Sequence, residues 1–319
     1  MQATRERVLD ALTDGPVTGP ELAERLDVSR AAVWKHVEAL REEGFDIASE
    51  DDGYSLVAFP EFGGVAVEYG LDAPFEVTYH DSVPSTNARA RDLAQEGAED
   101  VVVLVDEQTG GRGRLDREWS SPSGGVWLSA LTRPDIPATH APAYTLAAAV
   151  AVARAAREAG VDAGIKWPND VVVSGTDAAG EPTERKLAGI LTEMEGEADR
   201  VSWAVVGMGI NANVDTDDLP SEANPVTLAG EVGPVDRRVF TQRVLEEFDD
   251  LRSDLDSVVP AWREYATTLG KRVRVETPGD EVVGDAVDIE FPGALVVDTG
   301  AERVTVTAGD CDHLRPVGE

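Results

Sequence analysis

Two short segments govern the reading of this 319-residue chain: Gly110-Gly-Arg-Gly-Arg-Leu-Asp-Arg-Glu-Trp119 and Lys166-Trp-Pro-Asn-Asp170. The first follows an apolar run, Val101–Asp106, and alternates small residues with guanidinium groups. Its glycines let backbone N–H groups approach an anion closely. Arg112, Arg114 and Arg117 add donors suited to carboxylate or phosphate oxygens. No Gly-Lys-Ser/Thr follows, so this is not a Walker A loop. The second segment sets one of only four lysines inside an apolar strand expected over Gly164–Ser174. Lysine is seldom buried without a partner, so Lys166 is expected to face a cavity that takes an anion.

Other polar groups gather in the sequence around these two. Ser85-Thr-Asn87 opens a helix, with Ser85 or Thr86 as its cap, and three successive hydrogen-bonding side chains point to a polar ligand as well. Gly207-Met-Gly-Ile-Asn-Ala212 matches a dinucleotide pattern after a strand, but the polar stretch behind it is no helix. Without a helix N-terminus a pyrophosphate has no seat there. Gly207 and Gly209 are therefore read as close-packing positions in a strand.

Working outward, residues 1–60 predict a winged helix-turn-helix. Arg5–Leu12 forms a first helix, Thr18 caps a second, and Ser29 caps a third over Arg30–Glu43 that Gly44 ends. A hairpin about Asp51-Asp-Gly53 makes the wing. Ser29, Arg30, Lys35 and His36 are the candidate DNA contacts, with Trp34 read as core beside Val33 and Val37. Phe59–Pro74, rich in Gly and Pro, reads as a linker. Residues 75–269 alternate strands and helices, the last two helices over Phe240–Asp256 and Pro260–Leu269, with a polar insert at Gly175–Glu184. From Lys271 short β runs predict a separate small barrel over 270–319. The fold class is thus α+β and multidomain.

Bulk properties narrow the function. With 61 acidic and 28 basic residues the net charge is −33, and the acids are spread over the whole chain. A binding patch would be local, so the spread points to a surface hydrated in concentrated salt, where the Debye length is only ~3 Å at 1 M. A halophilic source is expected. The single Cys311 makes no internal disulfide and belongs to no zinc pattern. No apolar run is long enough to span a bilayer, so a soluble cytoplasmic protein with no membrane partner is expected.

Ser-Thr-Asn at 85–87, Gln108 before Thr-Gly-Gly-Arg-Gly-Arg, Lys-Trp-Pro-Asn-Asp at 166–170, Lys-Leu-Ala-Gly-Ile-Leu at 186–191 and Gly-Met-Gly-Ile-Asn at 207–211 are similar, in this order, to biotin protein ligases. With the helix-turn-helix, the whole chain resembles the bifunctional form, ligase and biotin-operon repressor. The resemblance implies a central domain of the class II aminoacyl-tRNA synthetase/biotin ligase type and an SH3-like C-terminal barrel. It implies a biotin site at Ser85, Thr86, Asn87, Gln108, Gly111, Arg112, Gly113 and Lys166. Arg114 would lie over the adenylate phosphate, with Trp119 and Lys186 as further contacts. Lys166, Arg112 and Arg114 would carry the reaction. ATP with Mg²⁺ and biotin would be consumed, and a biotin carboxyl carrier protein, operator DNA and a second copy of the chain would be partners. Mg²⁺ ligands and a general base for the acceptor lysine are not assigned. Asp116 departs from the family's usual Gly or basic residue, and Gly309–Arg315 is a looser form of its closing segment. Two other readings stay open: a transcription factor that only senses a metabolite, and a ligase for a related acyl cofactor such as lipoate.

Overall fold

Residues 3–176, 180–197, 199–277 and 279–314 are described by a computed structural model. Parts of the polar insert and Arg315 of the closing segment lie outside them.

Helices α1 (Ala3–Thr13), α2 (Gly19–Leu26) and α3 (Arg30–Glu42) are followed by the hairpin β1 (Asp46–Glu50) and β2 (Gly53–Ala58). The local chemistry explains the boundaries. Thr18 and Glu21 form a reciprocal capping box, Ser29 caps α3, and Asp27 turns the chain at φ +52°. Val33, Val37 and Leu40 form the buried stripe of α3 at helical spacing. Trp34, read above as core, lies one position off that stripe and is 55% exposed.

The expected linker is a folded adaptor. It contains α4 (Gly64–Glu68), whose Ala66 enters the core of the helix-turn-helix and whose Val67 enters the main core. Phe59 packs on Phe45 and Tyr69, and Gln242 donates to the carbonyls of Val67 and Tyr69. Its glycines and prolines disguised a helix only five residues long.

The central part continues with β3 (Glu76–Val83), α5 (Thr86–Gln95), β4 (Val101–Gln108), β5 (Val126–Thr132), α6 (Pro142–Glu158), β6 (Ala163–Lys166), β7 (Asp170–Thr176), β8 (Pro182–Glu197) and β9 (Arg200–Ile210). Helices α7 (Leu228–Val232), α8 (Arg237–Ser253) and α9 (Leu255–Tyr265) follow. The strands form one seven-stranded sheet, ordered β3-β4-β5-β9-β8-β7-β6, parallel between β3 and β4 and antiparallel elsewhere. One face packs on α6, where a run of alanines lets helix and sheet approach closely, and on α8 and α9. The opposite face carries α5.

Two segments fold differently from their local sequence pattern. Gly164–Ser174 is not one strand but the hairpin β6–β7, with Lys166 paired to Asp170. Pro168 can donate no ladder hydrogen bond, and the chain reverses over Trp167-Pro-Asn169. The last helix begins at Leu255, before Pro260, which lies inside it. Residues 266–268, expected to be helical, run instead beside β6: Ala266 bridges Ile165 in parallel, and Thr267 N–H donates to Ile165 O at 2.8 Å.

The C-terminal part is a five-stranded antiparallel sheet, ordered β13-β12-β11-β10-β14, from β10 (Arg272–Glu276), β11 (Glu281–Glu290), β12 (Ala294–Asp298), β13 (Arg303–Val306) and β14 (Asp310–His313). It shares one continuous core with the central sheet. Between the two lies an ionic clamp: Glu184 of β8 accepts from Lys271 Nζ at 2.7 Å and pairs with His313 Nδ1 at 2.8 Å. Burial opposes ionisation of Glu184, but hydrogen bonds from His313 and Lys271, and the charge of Lys271, bring its pKa down to about 2. An acid depressed in the folded state stabilises it above the unfolded pKa, and that stability is lost as pH falls through the folded value. Glu184→Gln is expected to lower unfolding free energy at pH 7 by up to about 3 kcal/mol, with the gap to wild type closing between pH ~4.5 and ~2. Urea titrations across that range check this; a gap independent of pH would contradict it.

Candidate functional site

Side-chain alternation along the strands creates the site. On β9, Val206, Met208 and Ile210 face α6, so Gly207 and Gly209 face the other side. Gly209 pairs across the sheet with Gly189 of β8. The bare patch so formed is the floor of a cavity of about 590 Å³. It is a close fit: a Cβ on Gly209 would stand 2.5 Å from Trp119 Nε1, and one on Gly207 would stand 2.2 Å from Asn87 Oδ1. The close-packing reading of these two glycines holds.

The polar wall comes from α5 and β4. Ser85 is the N-cap of α5, and Thr86 and Asn87 turn inward and are buried. Gln108 Oε1 accepts from Thr86 N at 2.8 Å and from its hydroxyl at 3.1 Å, while Gln108 Nε2 donates to Ser121 Oγ. Asn87 Nδ2 donates to Glu193 at 2.7 Å. The fully buried Ser129 hydroxyl lies 2.7 Å from Thr86 Oγ1 and 2.6 Å from Asn87 Oδ1. Each amide is thereby locked in one orientation, which is what a shaped receptor for a small polar ring needs.

Three kinds of cation surround this wall. Lys186 is compensated, 2.8 Å from Asp170, and lies 5.0 Å from the Trp119 ring centroid. Arg114 reaches across to Asn169 Oδ1 at 3.2 Å and to the carbonyl of Gly309 at 3.0 Å. Lys166 differs. Ile165 faces the α6 core, so Lys166 projects into the cavity from the end of β6, and its ammonium makes no hydrogen bond or ion pair with a described residue.

The loop over Gly111–Trp119 is a miniature hairpin. Trp119 N–H donates to Gly111 O, Arg112 bridges Glu118, and Gly113 N–H donates to Arg117 O. At its tip Leu115 and Asp116 have φ +54° and +55°. A turn with two such residues favours Gly, Asn or Asp, so Asp116 suits its place while Leu115 is strained. Arg112 lines the mouth of the cavity, and its guanidinium lies 3.1 Å from Asp116 in solvent. Gly113 also lines the cavity. Gly111 stands behind it, where a Cβ would be 2.4 Å from Trp119 O. Arg117 and Arg114 both face Asp310, so the loop rests on β14.

Sequence reading missed several members. Asn169 and Asn211 sat inside quoted motifs without a role. Asn169 donates to Ile190 O while holding Arg114, and Asn211 ties β9 to Lys186 O and Val226 O. Ser129 had one signal, a lone hydroxyl in an apolar strand. Cys311 lines the cavity, but burial pushes its thiol up to about 12, so no thiolate forms near neutrality. The four DNA candidates lie apart from all this. Ser29 caps α3, His36 is half-buried, and Arg30 and Lys35 are exposed beside Trp34 without an ion pair to a described residue.

A helix-turn-helix is thus joined to a central sheet whose cavity gathers loop-borne arginines and a lysine unpaired among the described residues. Residues 78–211 match the biotin/lipoate A/B protein ligase family, residues 4–55 a helix-turn-helix domain, and residues 268–314 the biotin protein ligase C-terminal domain. The chain is 36% identical over 314 residues to the bifunctional ligase/repressor BirA of Bacillus subtilis, covering 93% of each. It is 34% identical to the biotin–[acetyl-CoA-carboxylase] ligase of Mycobacterium tuberculosis over 72% of this chain and 86% of that protein. In fold it is similar to the biotin protein ligase of Aquifex aeolicus solved with biotin and ATP, at TM-score 0.62 and 23% identity, over 75% of this chain and 99% of that one. The chain belongs to the biotin protein ligase family, in its bifunctional form with an N-terminal helix-turn-helix. None of its described helices is long and apolar enough to cross a membrane.

Gly209→Ala is expected to displace Trp119 from the cavity floor and weaken biotin binding at least tenfold, by calorimetry, with the thermal midpoint nearly unchanged. Equal affinity would mean that Trp119 is no part of the biotin site.

Proposed function

We propose that the protein activates biotin with ATP to biotinyl-5′-AMP, transfers biotin to a lysine of a biotin carboxyl carrier protein, and acts as a biotin-responsive repressor. The observation that carries the ligase reading is the Lys166 ammonium, uncompensated among the described residues and aimed into a cavity whose hydrogen-bonding wall is already fixed. An intact arginine–glycine loop together with Lys166 favours catalysis over sensing alone. The helix-turn-helix and C-terminal sheet together favour biotin over lipoate.

In the first step the biotin carboxylate attacks the α-phosphorus of MgATP, and pyrophosphate leaves. Such a transfer needs positioning and charge stabilisation more than covalent help. Lys166 is placed to serve both the carboxylate and the α-phosphate, and Arg112 at the mouth to bind the remaining charge. Arg114, held by Asn169 and Gly309, would lie over the adenylate phosphate. Ser85, Thr86, Asn87 and Gln108 would orient the biotin ring, with Trp119 and Lys186 closing over it. Mg²⁺ arrives with ATP as part of that substrate. In the second step the acceptor amine attacks the mixed anhydride, an amide forms and AMP leaves. Deprotonating that amine costs about 4–5 kcal/mol at pH 7.

The same reading takes residues 1–60, 75–269 and 270–319 as the three domains, the central one of the class II aminoacyl-tRNA synthetase/biotin ligase type and the last an SH3-like barrel. It places the protein in the cytoplasm of a halophile, with a homodimer as a further partner state.

Pyrophosphate exchange dependent on biotin is expected in wild type and reduced by two or more orders of magnitude in Lys166→Ala; retention of wild-type exchange would remove Lys166 from the reaction. Arg114→Ala is expected to speed escape of the adenylate. Repression rests on α3, where Trp34 is exposed between two cations, Arg30 and Lys35, that pair with no described acid. With so few phosphate contacts, log affinity against log salt should fall with a slope of only about −2 per helix-turn-helix, measured on a duplex selected by the protein itself. A slope of −6 would contradict that reading.

A further inference from the structure

The turn that carries Lys166 is tied to the C-terminal sheet by bonds that the reaction above does not use. Trp167 is fully buried, and its backbone N–H donates to Thr268 Oγ1 at 2.9 Å. Thr268 is itself 0% exposed. Its hydroxyl lies 3.0 Å from His313 Nε2 on β14, and His313 Nδ1 lies 2.8 Å from Glu184. A second tie runs in parallel, from the Trp167 indole N–H to the carbonyl of Gly293 at 2.9 Å. Between Lys166 and Asp170 the chain has only three residues in which to reverse, so the plane of the Trp167 amide sets where Lys166 points.

The bonding is complete in one proton arrangement. Glu184, ionised, can only accept, so it takes the Nδ1–H of His313. Nε2 is then an acceptor and takes the Thr268 hydroxyl proton, which leaves a Thr268 lone pair for the Trp167 N–H. Lys271 Nζ, 3.3 Å from His313 Nδ1, directs its own proton at Glu184 at 2.7 Å, so with His313 neutral the hydrogen bonds run in one order from Glu184 to the main chain beside Lys166.

We propose that Thr268 and His313 are positioning residues for Lys166, which makes the C-terminal sheet part of the geometry of adenylate formation. The inference rests on the ligase reading and deepens it. Neither side chain lines the cavity, so neither touches the reacting groups. Their effect falls on kcat, because a misdirected ammonium loses its contact with the developing charge while the biotin wall on α5 and β4 stays intact.

The test uses the full chain and biotin-dependent pyrophosphate exchange. Thr268→Val, which keeps shape and removes the hydroxyl, is expected to lower kcat about tenfold with KM for biotin and ATP within twofold. Thr268→Ser should restore it. His313→Gln, whose amide oxygen can reach the Nε2 position, should retain most activity, and His313→Asn, which reaches only the Nδ1 position, should behave as Thr268→Val. In a Lys166→Ala background Thr268→Val should cost nothing more, since there is no ammonium left to aim. Where Thr268→Val does not fold, the His313 pair carries the same comparison. Wild-type kcat in both Thr268→Val and His313→Asn, or a full tenfold loss on top of Lys166→Ala, would overturn the proposal and leave the cluster a structural clamp. A wild type without biotin-dependent exchange would instead remove the ligase reading, and this inference with it.

Discussion

An ammonium without a counter-ion among the described residues, at the end of a short strand and next to a fully buried tryptophan, is the constraint around which this protein is organised. A lysine so placed costs stability unless it is directed at a ligand's charge. Nearby acids are committed elsewhere: Asp170 to Lys186, Asp310 to Arg117 and Arg114, Glu184 to Lys271 and His313. In a chain of net charge −33 these three carboxylates are thus taken up by other cations, while Glu118, Glu222, Glu276 and Asp312 also line the cavity.

The space that Lys166 serves is made by omission. Glycines at 189, 207 and 209 leave the sheet bare over two adjacent strands, and Trp119 and Asn87 descend into the gap. Residues of longer side chain there would fill the cavity, and the same strands would form an ordinary core face. Rigidity comes from hydrogen bonds among the polar wall groups themselves, with Ser129 and Ser121 as buried fixed points. The loop over Gly111–Trp119 is different in kind: its tip holds a leucine in a left-handed conformation in solvent, with Arg114 and Arg117 resting against Gly309 and Asp310. A rigid receptor under a strained, externally latched loop suits an enzyme that must admit a ligand and then retain a reactive product.

Much of the fold was legible because its signals are local. Capping residues, the Gly44 and Asp27 turns, and continuous apolar runs such as Val101–Asp106 depend only on neighbours in the chain. Errors arose where a local pattern was overridden by a distant contact. Phe59–Pro74 looked like a linker because α4 is too short to show a period and exists by packing between two cores. Trp34 looked like core because of the valines beside it, though helical geometry turns it a hundred degrees from their stripe. Gly164–Ser174 looked continuous because its apolar content hid the reversal at Pro168.

The residue types of the site, their order and the family they belong to can be read along the chain, since the chemistry of Lys166, the arginine–glycine loop and Ser85–Asn87 resides in the side chains. Which of them meet follows from folding in three dimensions. Folding puts Gly111 behind the cavity and Gly113 in it, pairs Lys186 and leaves Lys166 unpaired among the described residues, and brings Asp310 and His313 from the far end of the chain to the loop and the turn. Those outcomes depend on strand register and on the docking of one sheet against another, which are set by sums of long-range contacts that no local pattern encodes.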